Sequence, residues 1–319
     1  MTDSALLRYG LARPGDNGPL TGDEPSVQAM FEFLGAKIHV ISASVGLLRR
    51  WATLYEAFRT RPGLADVTVV VGCNSDTDEP RPGEAVVIVG DVVKPWNGTE
   101  PLFPPLWVPP LDRWLHLRGT AVGRAGQAVL LLARPNAGKT LLAVALVARG
   151  AWLLADELVP LDPADLLVAP FPKSLRLRRE ALGLLGIDLA HPALLPFHAE
   201  DGGIEWRAEP GGLFGARSSR VAADVGALVF LEPRGDTGAS ANGDDADRYR
   251  DDAEDTARLE PLRPREALAT LAAQLLRAPK DFQTGMEALV RLCDRAPAYR
   301  LLPAHPAASA RLLDEALLA

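Results

Sequence analysis

Cysteine is scarce in this sequence, since the chain of 319 residues contains only Cys73 and Cys293. Two cysteines are too few for a disulfide framework or a cysteine-based zinc site. The chain also lacks an apolar run near the roughly 18 residues of a membrane span, and it lacks a basic start followed by an apolar core. We therefore expect a cytoplasmic protein that neither crosses a membrane nor is exported.

A surplus of basic charge is also missing, because the formal net charge is -7 and the isoelectric point is about 5.4. Such a chain has no overall basic field that would attract nucleic acid. Hydrophobic residues make up 48% of the chain and charged residues 24%, which is enough apolar material for one large domain or two of ordinary size. We expect a globular protein without a nucleic-acid partner.

Two changes in composition divide the chain. Residues 101–110 contain five prolines, which exclude a helix or a central strand and indicate a linker. Residues 234–254 are rich in Gly, Asp and Ala and poor in large apolar residues, a composition typical of a mobile acidic insertion. We predict a small domain over residues 1–111 and a larger domain over residues 112–319 that carries this insertion.

The first domain has the pattern of a small α/β domain. Residues 37–42, 66–71 and 84–92 are rich in Val and Ile and predict strands, and residues 45–59 have apolar residues at helical spacing. Because no cluster of catalytic residue types occurs there, we interpret this domain as one for packing or oligomerisation, so the chain could form a homo-oligomer.

A strand, a short loop and a helix follow the proline-rich segment. Residues 114–122 and 127–133 predict two strands joined by a turn at 123–126. The second strand runs into the sequence RPNAGKT, and the residues after it predict a helix that ends at Gly150. A loop that ends in Gly-Lys-Thr between a strand and a helix is the setting of a phosphate-binding loop.

The residue types in this loop suit ATP and Mg²⁺. Successive backbone N–H groups at the positive end of the helix can form a concave donor site for phosphates. The ammonium of Lys139 can lie between the β and γ phosphates, and the hydroxyl of Thr140 is the usual Mg²⁺ ligand in such loops. The match to the full motif is partial, because Ala133 stands where the first glycine would be. The predicted nucleotide-binding residues are Asn136, Ala137, Gly138, Lys139 and Thr140.

An acidic pair follows the next predicted strand. Residues 151–155 are apolar and lead directly into Asp156 and Glu157. Two adjacent carboxylates after an apolar strand are costly to bury unless they meet a cation or take part in proton transfer. We therefore expect Mg²⁺, a substrate proton or solvent beside them.

Together these motifs resemble the HPr kinase/phosphorylase superfamily, and more narrowly the HPr-kinase-related proteins found beside peptide and natural-product gene clusters. The resemblance rests on QAVLLLARPNAGKT, LLADELVPLD, PFPKSLRLR and ALVFLEP, with their spacing, and it covers about residues 114–233. AYRLL at residues 298–302 is a weaker similarity. The resemblance implies an α/β fold, a P-loop kinase core of the HPr-kinase/PEP-carboxykinase-like type with a smaller N-terminal α/β domain.

The resemblance also implies a function. A member of this family would be an ATP-dependent kinase that transfers the γ-phosphoryl group to a hydroxyl, and we expect Ser or Thr of a peptide or protein as the acceptor. Lys139 and Thr140 would contact the phosphates and the metal, Asp156 would be the general base and Glu157 a metal ligand. The family has Asp-Asp where this chain has Asp-Glu. The alternatives are a small-alcohol kinase and a catalytically silent nucleotide-binding regulator.

Basic residues after the acidic pair are further candidates. Lys173, Arg176 and Arg178 alternate with leucine, so they predict a strand with two different faces. Functionally, Lys173 and Arg176 would clamp phosphates or an acidic substrate. The alternative is a solvated basic face.

Two other pairs of residues complete the candidate site. Arg217 and Arg220 lie in the glycine-rich residues 211–220 and could supply charge to the transferred phosphoryl group, or lie in an ordinary surface loop. The family usually has a histidine on the strand before the P-loop, where this chain has Arg118 with His116 two residues earlier on the same face. Phosphorylase activity in the reverse direction is not implied.

Two other functions are disfavoured by the sequence. His191 and His198 are separated by prolines and lack the spacing of zinc ligands. An Asn-Lys-x-Asp motif that would recognise guanine is absent, which weighs against a GTPase-like switch.

Overall fold

The computed structural model describes most of the chain and divides it into two compact units, one of residues 1–112 with 198–203 and one of residues 113–197 with 204–319. The acidic segment 234–254 and the loop arginines Arg217 and Arg220 lie outside the described residues. The described residues are 27–42, 45–73, 85–89, 92–95, 111–198, 204–215, 221–232, 256–279 and 281–318.

The first unit contains a mixed sheet with the order β1-β2-β3-β4-β5, in which β2 and β3 are parallel and the other neighbours are antiparallel. Strands lie where the Val- and Ile-rich segments predict them, and a helix follows β2. Its elements are β1 Val27–Phe33, β2 Ala36–Ser42, α1 Val45–Tyr55, a 3₁₀ helix Glu56–Phe58, β3 Val67–Cys73, β4 Ala85–Val89 and β5 Val92–Pro95.

Aromatic side chains form the core of this unit. Phe33 of β1 lies 5.2 Å from the ring of Tyr55 and 4.8 Å from the ring of Phe58, measured between centroids. Phe31 and Trp51, both buried, extend the cluster between β1 and α1. Rings at these separations and angles stabilise one another beyond the area that they bury, so they hold α1 against the sheet.

The second unit is a larger mixed α/β structure. Its elements in chain order are β6 Leu115–Arg118, β7 Thr120–Arg124, β8 Gln127–Leu132, α2 Lys139–Ala148, β9 Trp152–Ala155, β10 Leu158–Leu161, β11 Leu167–Val168, β12 Leu175–Leu177, α3 Arg179–Leu184, β13 Leu194–His198, β14 Ile204–Ala208, α4 Pro210–Phe214, β15 Ala223–Leu231, β16 Arg258–Leu262, α5 Pro264–Ala272, β17 Leu275–Arg277, α6 Phe282–Arg295, β18 Ala298–Leu302 and α7 Pro306–Leu317.

A large sheet runs through this unit in the order β17-β6-β10-β11-β15-β8-β7-β9, and β18 pairs with both β15 and β16. β8 is parallel to β15 and β15 is parallel to β18, whereas β7 pairs with β8 and β9 in the antiparallel sense. A smaller sheet has the order β12-β14-β13. Because β8 is apolar and buried at five of its six positions, it lies in the middle of the core and fixes where the following loop emerges.

Helix α2 follows that loop and is apolar on nearly every side, with its residues from 141 to 147 buried. Gly150 ends the helix with a positive φ of 103°. Its N–H donates to the carbonyl of Val147, and the N–H of Ala151 donates to that of Leu146, at 3.0 and 3.1 Å. This is the Schellman arrangement that glycine favours, and it confirms the predicted helix end.

Two predictions about the secondary structure are wrong. The strand expected over residues 114–122 breaks at Gly119 into β6 and β7. A Cβ at Gly119 would lie 2.9 Å from Leu132 Cδ2 and 3.0 Å from the carbonyl oxygen of Leu131, so a side chain does not fit there. Apolar residues at helical spacing predict a helix over residues 264–277, but the helix ends at Ala272, because residues 275–277 form β17 and pair with β6. In the described part of the chain, no helix has the length and apolar character needed to cross a membrane.

Candidate functional site

The loop between β8 and α2 turns through two left-handed residues. Asn136 has a φ of 61° and Gly138 a φ of 85°. Glycine adopts this conformation without strain, and asparagine tolerates it better than most residues do. Left-handed residues in a tight loop turn successive N–H groups toward one point, and the first N–H groups of α2 have no partner within the helix. The loop therefore has the backbone geometry of an anion site.

Lys139 is the first residue of α2, and its side chain folds back over the loop. Its Nζ donates hydrogen bonds to the carbonyl oxygens of Ala133 at 3.0 Å and Arg134 at 2.8 Å. Burial lowers the pKa of Lys139, and the charge of Arg118 lowers it further, while the carboxylates of Asp156 and Glu157 oppose both effects. The loop thus holds a buried cation next to its own N–H groups.

Thr140, the second residue of α2, contacts Asp156 directly. Its Oγ1 lies 3.1 Å from each carboxylate oxygen of Asp156. Thr120 at the start of β7 donates a shorter hydrogen bond, 2.6 Å, to Oδ1 of the same carboxylate. Asp156 is 1% exposed. A buried carboxylate thus joins the beginning of α2 to the joint between β6 and β7.

The position of Asp156 follows from a break in one antiparallel ladder. Arg118 of β6 lies opposite Leu158 of β10, and Ala121 of β7 lies opposite Ala155 of β9. Between these pairs the ladder is interrupted on both strands, at residues 119–120 and at residues 156–157. Interruptions of this kind redirect side chains and are common beside functional sites.

Glu157 occupies the strained position of that break. Its φ is 63°, an uncommon value for a residue with a side chain. The carbonyl of Glu157 accepts a 3.3 Å hydrogen bond from the N–H of Gly119 on the opposite strand. Because the backbone turns here, Asp156 faces α2 while the side chain of Glu157 contacts Lys173. The uncommon φ of Glu157 therefore occurs where the side chains of Asp156 and Glu157 turn toward different partners.

Lys173 is the partner of Glu157. Its Nζ lies 2.5 Å from Oε2 of Glu157, and its side chain is buried, whereas that of Glu157 is about one third exposed. The sequence predicts Lys173 as a clamp for phosphate or substrate. In the structure it contacts Glu157 of the acidic pair.

The pKa values of the two neighbouring carboxyl groups, Asp156 and Glu157, shift in opposite directions. Burial and the charge of Glu157 raise the pKa of Asp156, against the hydrogen bonds from the two threonines and the charge of Lys173. Burial also acts to raise the pKa of Glu157, but the ion pair with Lys173 and the charges of Arg176 and Lys139 outweigh it and lower that pKa. Two carboxyl groups with separated pKa values can divide proton transfer and charge stabilisation between them.

The structure brings some of the predicted residues together. Asn136 to Thr140, Asp156, Glu157 and Lys173 form one continuous set of contacts and neighbours, and the charge of Arg118 reaches Lys139. Arg176 lies on β12 and pairs with Glu205 of β14. His116 is fully buried in the sheet, opposite Pro160 of β10 and Arg277 of β17, so it lies in the core.

Sequence reasoning misses Thr120 and Glu205. Thr120 is an unremarked residue of the predicted strand 114–122, and it contacts Asp156 only because two strands 36 residues apart pair. Glu205 lies in a stretch that shows no motif, and its contact with Arg176 spans 29 residues. Neither residue has a local sequence signal that would have found it.

The donor set at Thr140 suits a small hard cation. Mg²⁺ prefers oxygen ligands such as a hydroxyl and a carboxylate, and Thr140 and Asp156 place both within hydrogen-bond distance of each other. Glu157, which the sequence predicts as a metal ligand, contacts Lys173 instead of Thr140. Among the residues that the structure describes, three or more His, Cys, Asp and Glu side chains do not gather into a metal cluster.

Comparison with solved structures finds distant likenesses. No family profile and no curated protein matches the chain. A solved structure, the Hpr(Ser) kinase/phosphatase from Coxiella burnetii, is similar at 16% sequence identity with a TM-score of 0.29, over 63% of this chain and 86% of that one. A TM-score this low does not establish a function for this chain.

Proposed function

We propose that the chain is a P-loop kinase that binds ATP with Mg²⁺ and transfers the γ-phosphoryl group to a hydroxyl. One observation carries the proposal: Lys139 and Thr140 open a helix after a buried strand, and Thr140 contacts the buried carboxylate of Asp156. A phosphate loop, a buried cation and a carboxylate with a raised pKa are the parts that phosphoryl transfer requires.

The loop would bind the phosphates through its backbone. The N–H groups of residues 136–140, at the positive end of α2, are donors for phosphate oxygens. The ammonium of Lys139 would exchange the carbonyls of Ala133 and Arg134 for oxygens of the β and γ phosphates. This exchange gives a charge-assisted contact in place of two neutral acceptors.

Thr140 and the acidic pair would hold the metal. The hydroxyl of Thr140 with a carboxylate of Asp156 or Glu157 provides the oxygen ligands that Mg²⁺ prefers. When bound, the ion would neutralise charge on the phosphates. Lys173 pairs with Glu157 and would balance the charge of that carboxylate.

Asp156 would accept the proton of the acceptor hydroxyl. Oδ1 accepts the short 2.6 Å hydrogen bond from Thr120, whereas Oδ2 has the longer 3.1 Å contact with Thr140, so we assign proton transfer to Oδ2. As the acceptor O–H proton moves to Asp156, the hydroxyl oxygen forms a bond to the γ phosphorus, the bond between that phosphorus and the β–γ bridging oxygen breaks, and ADP leaves. The raised pKa of Asp156 matches this task, because a base with a higher pKa holds the proton more firmly.

Serine or threonine of a peptide or protein is the acceptor that we propose, with a small alcohol as the alternative. The test is ADP formation from MgATP that depends on an added hydroxyl compound, with the phosphorylated product identified by mass spectrometry. Asp156→Asn should still bind ATP, because its amide keeps an oxygen beside Thr140, and should transfer about 10²- to 10⁴-fold more slowly. Asp165→Asn, which removes an exposed carboxylate of the same unit, is the matched control.

ATP binding without transfer to any hydroxyl compound, in the wild type, would favour the silent nucleotide-binding regulator. Equal transfer by wild type and Asp156→Asn would move the base to another residue.

A further inference from the structure

The small sheet of β12, β14 and β13 has two unlike faces. Leu175 and Leu177 of β12 and Trp206 and Ala208 of β14 are buried in the same apolar cluster as helix α2. Side chains alternate along a strand, so Arg176 and its cross-strand partner Arg207 lie on the opposite face.

That opposite face carries a high density of positive charge. Arg178, one residue beyond β12, and Glu205, two residues before Arg207, share it by the same alternation. Nη2 of Arg176 donates to Oε1 of Glu205 at 2.7 Å and its Nε pairs with Oε2, while Nε of Arg178 lies 3.7 Å from Oε1. Three guanidinium groups thus share a face with the carboxylate of Glu205.

Two of these arginines are within reach of solvent. The side chains of Arg176 and Arg178 are 41% and 43% exposed, whereas those of Glu205 and Arg207 are buried. The buried carboxylate of Glu205 binds two nitrogens of the Arg176 guanidinium in a bidentate pair. A guanidinium that is fixed in this way loses less freedom when it binds a second oxyanion.

The cationic face begins beside the acidic pair. Glu157 contacts Lys173, which lies two residues before β12, and the charge of Arg176 helps to lower the pKa of Glu157. Thr140 contacts Asp156, and the next residue of the chain, Glu157, contacts Lys173. Lys173 leads into β12. The arginines of β12 are thus linked to the acidic pair through Lys173, so an acceptor bound at them would lie near the carboxylates that we propose to act in transfer.

We propose that Arg176 and Arg178 form an oxyanion subsite that selects acceptors carrying a carboxylate near the hydroxyl. The inference rests on the proposed function and adds the class of its substrate. A carboxylate is favoured because Arg176 already holds one, Glu205, in the two-pronged geometry that arginine offers to planar oxyanions. The carboxylate could belong to an acidic residue of a peptide or to a small hydroxy acid.

The test measures binding with matched probes. Full-length protein with Mg²⁺ and a non-hydrolysable ATP analogue is titrated in a calorimeter with a capped serine peptide flanked by glutamate, and with the same peptide flanked by glutamine. Glycerate and glycerol form a second matched pair. We expect the anionic member of at least one pair to bind about tenfold or more tightly than its neutral partner, and the preference to shrink at high salt. The pair that shows the preference identifies the source of the carboxylate.

Two variants test the arginines. Arg178→Gln leaves the pair of Arg176 with Glu205 intact, and the double variant Arg176→Gln/Arg178→Gln removes both exposed cations. Both should bind the ATP analogue like the wild type and lose most of the preference for the anionic probe. Arg265→Gln/Arg311→Gln, which removes two exposed arginines on α5 and α7, should keep the preference. Because the double variant could unfold, its melting temperature is measured, and Arg178→Gln alone then decides.

Equal binding of the anionic and neutral members in both pairs, or a preference that survives undiminished in Arg178→Gln or in a folded double variant, would overturn this inference while leaving nucleotide binding in place. A wild type that does not bind the ATP analogue would overturn the proposed function, and this inference with it.

Discussion

Thr140 Oγ1 lies 3.1 Å from both carboxylate oxygens of Asp156, although sixteen residues separate them in the sequence. The contact joins the first turn of α2 to the joint between β9 and β10. It also means that a group bound by the loop and a group bound at Asp156 would be neighbours. The proposed chemistry depends on that proximity.

Burial of Asp156 predicts a dependence of stability on pH. Its pKa is raised in the folded protein, so between the unfolded pKa of about 3.9 and the folded pKa the native state holds the proton more firmly. The contribution of Asp156 to stability is therefore fully present below that window and falls as pH rises through it. Asp156→Asn cannot ionise, so we expect its melting temperature to exceed that of the wild type near pH 8, with a gap that narrows as the pH falls toward the unfolded pKa.

Scanning calorimetry at a series of pH values measures this gap. Asp165→Asn serves as the control, because its carboxylate is exposed, and its gap to the wild type should stay small at every pH. An Asp156→Asn variant that is less stable than the wild type at high pH would show that the charged carboxylate is stabilised by its neighbours rather than strained by burial.

The hydrogen bond from Thr120 to Asp156 should influence the pH dependence of phosphoryl transfer. Its hydrogen bond to Oδ1 lowers the pKa of Asp156, so Thr120→Val should raise that pKa further. A base works in its ionised form, so the acid limb of the rate profile should move to higher pH in the variant. Thr120→Ser keeps the hydroxyl and should restore the wild-type limb. Steady-state rates across pH measure the effect, and coincident limbs in wild type and Thr120→Val would exclude Asp156 as the base.

A side chain at Gly119, in the break of the ladder, should lower the free energy of unfolding. Gly119→Ala would place its Cβ 2.9 Å from Leu132 Cδ2 and 3.0 Å from the carbonyl oxygen of Leu131. We expect a loss of about 1–3 kcal/mol in the free energy of unfolding, which is typical of overpacking a core. Gly183→Ala is the matched control, because nothing lies within 4 Å of the added Cβ on helix α3. The control should be neutral or stabilise the protein by up to about 1 kcal/mol.

Urea unfolding of both alanine variants compares these free energies. A Gly119→Ala variant as stable as Gly183→Ala would show that β6 and β7 can move apart from β8 without cost.

The strand, loop and helix at residues 127–148 could be predicted because their signals are local. An apolar run, a Gly-Lys-Thr loop, a helix-forming stretch and Gly150 follow one another, and the elements found there agree with them. The signal for the strand at residues 152–155 is equally local. The mixed α/β character of the chain could therefore be predicted from its sequence. The division into independent domains and the roles of the site residues stay predictions.

The ladder break and its contacts could not be predicted. The sequence around Gly119 predicts one continuous strand. Glycine is needed at this position because Leu131 and Leu132 of β8 approach it closely. The contact of Thr120 with Asp156 depends on the register between two distant strands. Likewise, the predicted helix stops before residues 275–277 because these residues pair with β6 as a strand. Local helix and strand propensities contain no information about such a distant pairing strand.

Binding of MgATP to the full-length chain, measured by calorimetric titration, tests the central claim most directly. The account predicts saturable, Mg²⁺-dependent binding by the wild type and at least about tenfold weaker binding by Lys139→Ala, because a charge-assisted contact to phosphate is lost. Lys37→Ala, which removes an exposed lysine of β2, should bind like the wild type. No binding by the wild type, or equal affinity in a folded Lys139→Ala variant, would contradict the account.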